Sequence, residues 1–139
     1  MSNNTNLYGL TFQELEDLML ELGYKTYSGR QIFQWMYQKK VFDFEGMTNL
    51  SKKLRAELTQ NYSIGLPKIL QAKVSEDQTV KYLFQLDDGN LIEAVKIPDD
   101  PRLTLCMSSQ VGCPLGCKFC KTAQIGFKRN IEVGEILSQ

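Results

Sequence analysis

The sequence predicts an α+β protein: a three-helix N-terminal domain with a β-hairpin extension, followed by the first βα unit of an incomplete α/β domain. Three observations predict it. Apolar residues recur at helical spacing behind capping signals over about residues 11–62. The period switches to two between about residues 66 and 98. From Arg102 onward the order becomes strand, cysteine-bearing loop, helix. The expected division is 1–100 for the first domain and 101–139 for the start of a second.

The first eight residues are polar and expected to fray. Thr11 and Glu14 have capping-box spacing, in which each side chain bonds an otherwise unpaired amide of the first turn. Leu15, Leu18, Met19 and Leu22 then form one helical stripe, and Gly23 suits the stop just past the last turn. Ser28 and Gln31 repeat the capping spacing before Ile32, Trp35, Met36 and Lys39, which predicts a second helix from Ser28. A third helix is expected from about Ser51, with Leu54 and Leu58 one turn apart. Trp35 and Tyr37 read as core aromatics.

After "SIGLP", Val80, Tyr82, Phe84 and Leu86 alternate with Thr79, Lys81, Leu83 and Gln85, as in a strand. "DDGN" signals a turn and "LIEAVKI" a returning strand; Lys68–Val74 offers a third. Within "LIEAVKI", Glu93 shares a face with Leu91, Val95 and Ile97. A lone carboxylate on an apolar face is costly unless it is paired or has a task; an inward charge that discourages edge pairing is the alternative. "RLTLCMSS" then leads a strand into the cysteine loop, and "EVGEILSQ" opens a helix. In a βα unit of this order, the functional loop lies at the C-terminal end of the strand.

The chain has 139 residues, 42% hydrophobic and 23% charged, the balance of a soluble globular domain. No run is long and apolar enough for a transmembrane helix, and the first residues lack the basic and apolar regions of a signal peptide. A cytoplasmic setting follows, where clustered thiols are metal ligands or catalysts sooner than disulfides. Net charge is +0, so no global electrostatic signature of nucleic-acid binding exists. The distribution is uneven. Residues 71–100 carry Glu76, Asp77, Asp87, Asp88, Glu93, Asp99 and Asp100 against Lys73, Lys81 and Lys96. Residues 101–130 carry Arg102, Lys118, Lys121, Lys128 and Arg129 and no acid, so basic side chains surround the cysteines. An anionic cluster or a phosphate-bearing substrate would favour that placement.

Cys113, Cys117 and Cys120 fall within "VGCPLGCKFC", with Cys106 seven residues upstream. Three thiolates on one short loop can wrap a compact inorganic core. An iron–sulfur centre for electron transfer is usually held by four cysteines, so three leave one iron open to a substrate. Gly112 and Gly116 permit close backbone approach and positive φ in so tight a loop. A structural zinc site using all four cysteines, in a small RNA- or protein-binding module, is the alternative. Zinc sites, however, usually pair two short hooks across a longer loop. A small electron carrier is a third reading.

The spacing C-x3-C-x2-C, with Phe119 before the last cysteine, resembles the cluster motif of radical S-adenosylmethionine (radical-SAM) enzymes. The longer string "LCMSSQVGCPLGCKFCKTAQIGFKRN" resembles the RlmN/Cfr family of RNA adenine methyltransferases, and "TAQIGFKRN" resembles its carbon-2 branch. The resemblance extends upstream through "IEAVKIP", "MTNLSKKLR", "QIFQWMYQK" and "NLYGLTFQELEDLMLELG", nearly the whole chain.

That resemblance implies an accessory domain over 1–100 and the opening of a radical-SAM α/β barrel over 101–139. Cys113, Cys117 and Cys120 match the ligands of a 4Fe–4S cluster whose open iron holds S-adenosyl-L-methionine, and Phe119 matches a residue near that cofactor's adenine. Glu93 matches a proton-accepting carboxylate near the target base. Cys106 matches a non-ligand cysteine that helps resolve a covalent enzyme–RNA intermediate, and a disulfide bond is among the family's features. In the family a methylated cysteine near the C-terminus is activated by a 5′-deoxyadenosyl radical and adds to adenine of 23S rRNA or tRNA. The implied partners are those RNAs and an electron donor such as flavodoxin, with a monomeric, cytoplasmic protein that meets no membrane. Two departures stand out. Lys121 occupies a position where the family often has a small residue. The rest of the barrel, the cofactor-binding glycine/glutamate motif and the methyl-carrying cysteine would lie beyond Gln139, so the 139-residue chain alone is expected not to turn over.

Overall fold

The computed structural model describes residues 5–139. It contains helices and sheet in two compact units, the first ending at Gly65 and the second spanning Leu66–Gln139. The division read from the sequence at 100/101 falls in the turn between two paired strands of the second unit.

The first unit carries three helices, α1 (Phe12–Glu21), α2 (Thr26–Tyr37) and α3 (Lys52–Asn61), and a short parallel pair, β1 (Thr5–Asn6) with β2 (Tyr62–Ser63). Residues 1–4 lie outside the described residues. From Thr5 onward the expected fraying is not found, because β1 is paired and Leu7 is fully buried. The α1 capping box forms: the Glu14 amide donates to Thr11 Oγ1 at 3.3 Å, and the Thr11 amide donates to Glu14 Oε2 at 2.7 Å. At the other end Gly23, at φ +78°, donates to Leu20 O, and Tyr24 donates to Met19 O. This is the bonding of a Schellman stop. Ser51 caps α3 by accepting from the Leu54 amide.

The start of α2 differs from expectation. The helix begins at Thr26 behind Lys25, which gives no side-chain cap, and Ser28 is a buried residue of the first turn. Packing explains the earlier start. A Cβ on Gly29 would lie 2.6 Å from Leu15 O, so this turn of α2 rests directly on α1, and Arg30 Nε donates to Glu16 2.6 Å away. The apolar stripes then close one core of Leu7, Leu15, Met19, Ile32, Met36, Phe44, Met47, Leu50, Leu54 and Leu58, with Trp35 and Tyr37 packed at its margin.

The second unit is built on an antiparallel meander in the order β3 (Lys68–Val74), β4 (Val80–Gln85), β5 (Leu91–Asp99), β6 (Arg102–Cys106). The "DDGN" turn joins β4 to β5, with Gly89 at φ +81°. The strand expected to open a parallel sheet is thus the fourth strand of the meander, paired antiparallel from Val95↔Cys106 to Asp99↔Arg102. A second ladder, β7 (Gln110–Val111) with β8 (Arg129–Asn130), encloses α4 (Lys121–Ile125), and α5 (Val133–Ser138) follows. Val111 and Ile131 cover Phe84, Leu86, Ile92 and Ala94 on one face of the meander. Among the described residues no helix is long and apolar enough to cross a membrane.

Candidate functional site

The cysteine loop is tied off at its base by β7 and β8. Gly112 follows β7 at φ +74°, and a Cβ there would fall 1.7 Å from Gly126 O. Only glycine lets the two sides of the loop come this close. Gly116 turns between the first two cysteines at φ +64°. The Cys120 amide donates to Cys117 O at 3.1 Å, closing a tight turn that leads into α4. The backbone amides of Ala123 and then Thr122 stabilise the Cys120 thiolate and hold its pKa below the ordinary thiol value. A thiolate is the form that binds metal.

All four cysteines are free, Cys106 exposed and the three loop cysteines half-buried. No disulfide exists among the described residues. Neither do these residues bring three or more Cys, His, Asp or Glu side chains together around one point. Three soft thiols of a single loop suit an iron–sulfur centre in donor chemistry, and binding one requires the loop to draw them together. Phe119 stands 94% exposed at the loop's surface.

Glu93 differs from the sequence picture. The buried face of β5 is that of Ile92 and Ala94, not that of Leu91, Glu93 and Ile97. Glu93 lies on the open face and is not alone: Lys81 Nζ on β4 sits 2.8 Å from its Oε1, with both side chains 52% exposed. The backbone oxygen of Glu93 accepts from Ser108 Oγ at 2.7 Å. Cys106 is the register partner of Val95, one same-face step along β5 from Glu93. The meander therefore brings Glu93 and Cys106 onto one face. The three loop cysteines and Phe119 belong to the separate excursion between β7 and β8.

Sequence reasoning missed the brace that fixes this excursion. Arg129 donates through Nε to Asp88 Oδ2 (2.7 Å) and through both terminal nitrogens to Glu135 (2.7 and 2.8 Å). Lys128 Nζ donates to Asn90 Oδ1 at 2.8 Å. The β4–β5 turn thereby holds the strand that closes the cysteine loop. Arg129, above all, pushes Asp88 down to about 2 and lowers Glu135 as well. The only trace in the sequence is "DDGN", which reads as a turn; its partner lies 41 residues away.

Residues 5–64 match the family described as the ribosomal RNA large subunit methyltransferase N-terminal domain. The chain is 47% identical over 135 residues to the dual-specificity RNA methyltransferase RlmN of Solidesulfovibrio magneticus, a match that covers 97% of this chain and 38% of that protein. It is 49% identical over 140 residues to the RlmN of Lawsonia intracellularis, covering 96% of this chain and 39% of that one. In fold it is similar to a crystal structure of a radical SAM methyltransferase from Sphaerobacter thermophilus, with a TM-score of 0.86 and 38% identity over 96% of this chain and 40% of that one. The chain thus spans about two fifths of the length of these relatives.

Proposed function

We propose, from the premise that the chain belongs to the RlmN family of RNA methyltransferases and spans its N-terminal part, that it serves in a dual-specificity 23S rRNA and tRNA adenine-carbon-2 methyltransferase of the radical-SAM type. The observation that carries the reading is the reach of the similarity: a match over 97% of the chain takes in the helical unit, the meander and the cysteine loop together. In this reading residues 1–100 are the accessory domain and 101–139 begin the α/β barrel. The setting is cytoplasmic, with a monomeric protein and a flavodoxin-like electron donor.

Cys113, Cys117 and Cys120 would hold a 4Fe–4S cluster, and at Cys120 the backbone amides of Ala123 and Thr122 lower the thiol pKa towards the ligating form. Phe119 offers an exposed ring for the adenine of S-adenosyl-L-methionine. When bound, cluster and cofactor supply the one-electron chemistry that an electrophilic carbon without an acidic proton requires. Glu93 accepts a proton near the target base. Cys106, an exposed free thiol on the same face, releases the covalent adduct.

The test is anaerobic reconstitution of the 139-residue chain with iron and sulfide, read by metal content and visible absorption. Alanine at Cys113, Cys117 or Cys120 abolishes iron uptake, and Cys106→Ala leaves it intact. If Cys106→Ala lost metal as fully as Cys117→Ala, a four-cysteine or zinc site would replace this reading.

A further inference from the structure

The meander sorts its charges by position. Its acids gather in turns: Glu76 and Asp77 between β3 and β4, Asp87 and Asp88 between β4 and β5, Asp99 and Asp100 at the end of β5. The strand register sets Lys73 and Lys81 on the face of Glu93, while Lys96 lies on the other face. Lys73 pairs with Lys81, Lys81 with Val95, and Val95 with Cys106, so both lysines stand in the same cross-strand row as Cys106. The adjacent row runs Gln71, Leu83, Glu93. At the usual strand spacing Lys81 lies about 10 Å from Cys106 and Lys73 about 14 Å. A region that is acidic by composition therefore presents a basic strip beside Glu93 and Cys106.

Two features of the strip point to an anion. Lysines directly opposite one another on a sheet destabilise it, yet Lys73 faces Lys81. Only Lys81 is compensated, by Glu93; Lys73 has no ion pair among the described residues. Gln71, Lys73, Lys81, Leu83 and Glu93 also line a small cavity of about 70 Å³, too small to enclose a nucleobase.

We propose that Lys73 and Lys81, with Gln71 beside them, form a phosphate seat for the RNA strand next to the target adenosine. The base then reaches Glu93 and Cys106 along the same face. This rests on the RNA-methyltransferase reading above and adds where the RNA backbone lies. A phosphate arriving at Lys81 competes with Glu93 for the ammonium group and frees the carboxylate as the substrate docks.

The experiment measures binding of the 139-residue chain to a fluorescein-labelled single-stranded RNA by anisotropy across a salt series. Lys73→Gln and Lys81→Gln each weaken binding about three- to tenfold and reduce the slope of log K against log salt by about 0.7. Lys52→Gln and Lys53→Gln, on the exposed side of α3, serve as controls and leave both values unchanged. Circular dichroism verifies that each variant keeps its fold. Wild-type affinity and slope in Lys73→Gln and Lys81→Gln would overturn the seat, as would failure of the unmutated chain to bind RNA. Iron and sulfide loading reads the parent assignment separately, because neither lysine touches the cysteine loop. Loss of loading with RNA binding intact would sink the methyltransferase reading, and intact loading with unaltered RNA binding would sink the seat alone.

Discussion

The two units stabilise themselves by different means. The largest fully buried side chains, from Leu7 to Leu58, all belong to the first. There three amphipathic helices turn their stripes inward and close one core. The second unit buries only one face of its meander, beneath Val111 and Ile131. It leaves Ile69, Val74, Leu103, Leu105 and the loop residues Leu115 and Phe119 in solvent. What holds its cysteine excursion is polar: Asp88, Arg129 and Glu135, with Lys128 on Asn90. The unit that carries the candidate site residues is thus the one with the thinner core. Loops that must gather a ligand or admit a substrate come from the less stable part of a fold.

The sharpest way to break this contrast is to make the same deletion in both units. Leu15→Ala removes a fully buried side chain beneath α2 and leaves a cavity, which costs about 2–5 kcal/mol. Leu103→Ala removes a side chain 57% exposed on β6 and changes stability by no more than about 0.5 kcal/mol. Urea titrations of the two variants check the difference. Equal costs would mean that the face of β6 is covered in solution and that the contrast is false.

The features legible in the sequence were those whose chemistry is complete within a few residues. The Thr11–Glu14 box, the Gly23 stop, the helix start at Ser51 and the "DDGN" turn each close a hydrogen bond across five positions or fewer, and each is present. Ser28 and Gln31 carried the same local signal and misled, because contact of Gly29 with the α1 backbone sets the start of α2. The core face of β5 was ambiguous for another reason. Leu91, Ile92, Ala94 and Val95 are apolar on both sides, so alternation could not tell which side faces Val111 and Ile131. Of the candidate site, the cysteine spacing stood out at once. The Lys81–Glu93 pair, the lysine row and the Arg129 brace did not, since each depends on a register between distant strands.

A second comparison, between two glycines, sharpens the account of the cysteine loop. Gly112 and Gly116 both have positive φ, which a side chain resists by about 1–2 kcal/mol. A Cβ at Gly116 meets open space, whereas at Gly112 it collides with the Gly126 carbonyl. Gly116→Ala should therefore cost only that conformational term. Gly112→Ala must also part β7 from β8, adding about 1–3 kcal/mol of overpacking. Amide exchange at Val111 and Lys128, whose N–H donates to Val111 O, reports whether the ladder has opened. Equal protection in the two variants would show that the base of the loop is not held where the glycine contact puts it.

The smallest expected effect concerns pH, and it falls on the second unit. Asp88 is lowered from 3.8 to about 2, chiefly by its hydrogen bond from Arg129. A depressed carboxyl adds stability that is complete above its unfolded value and is lost as pH falls through the folded one. The brace between the β4–β5 turn and β8 should therefore be intact at pH 5 and loosen between about pH 4 and pH 2. Asp88 is 39% exposed, so solvent screening limits the effect to under about 1 kcal/mol. Core packing of the first unit has no ionisable partner of this kind among Leu15, Met19, Ile32 and Met36 and should be indifferent over the same range. Following the amide resonances of Asn90 and Arg129 against those of Met19 and Ile32 through an acid titration separates the two. In Asp88→Asn the loosening near pH 2–4 should disappear, because the neutral amide has no proton left to gain. A transition that persists there unchanged would assign the acid response to Glu135, the other carboxylate held by Arg129.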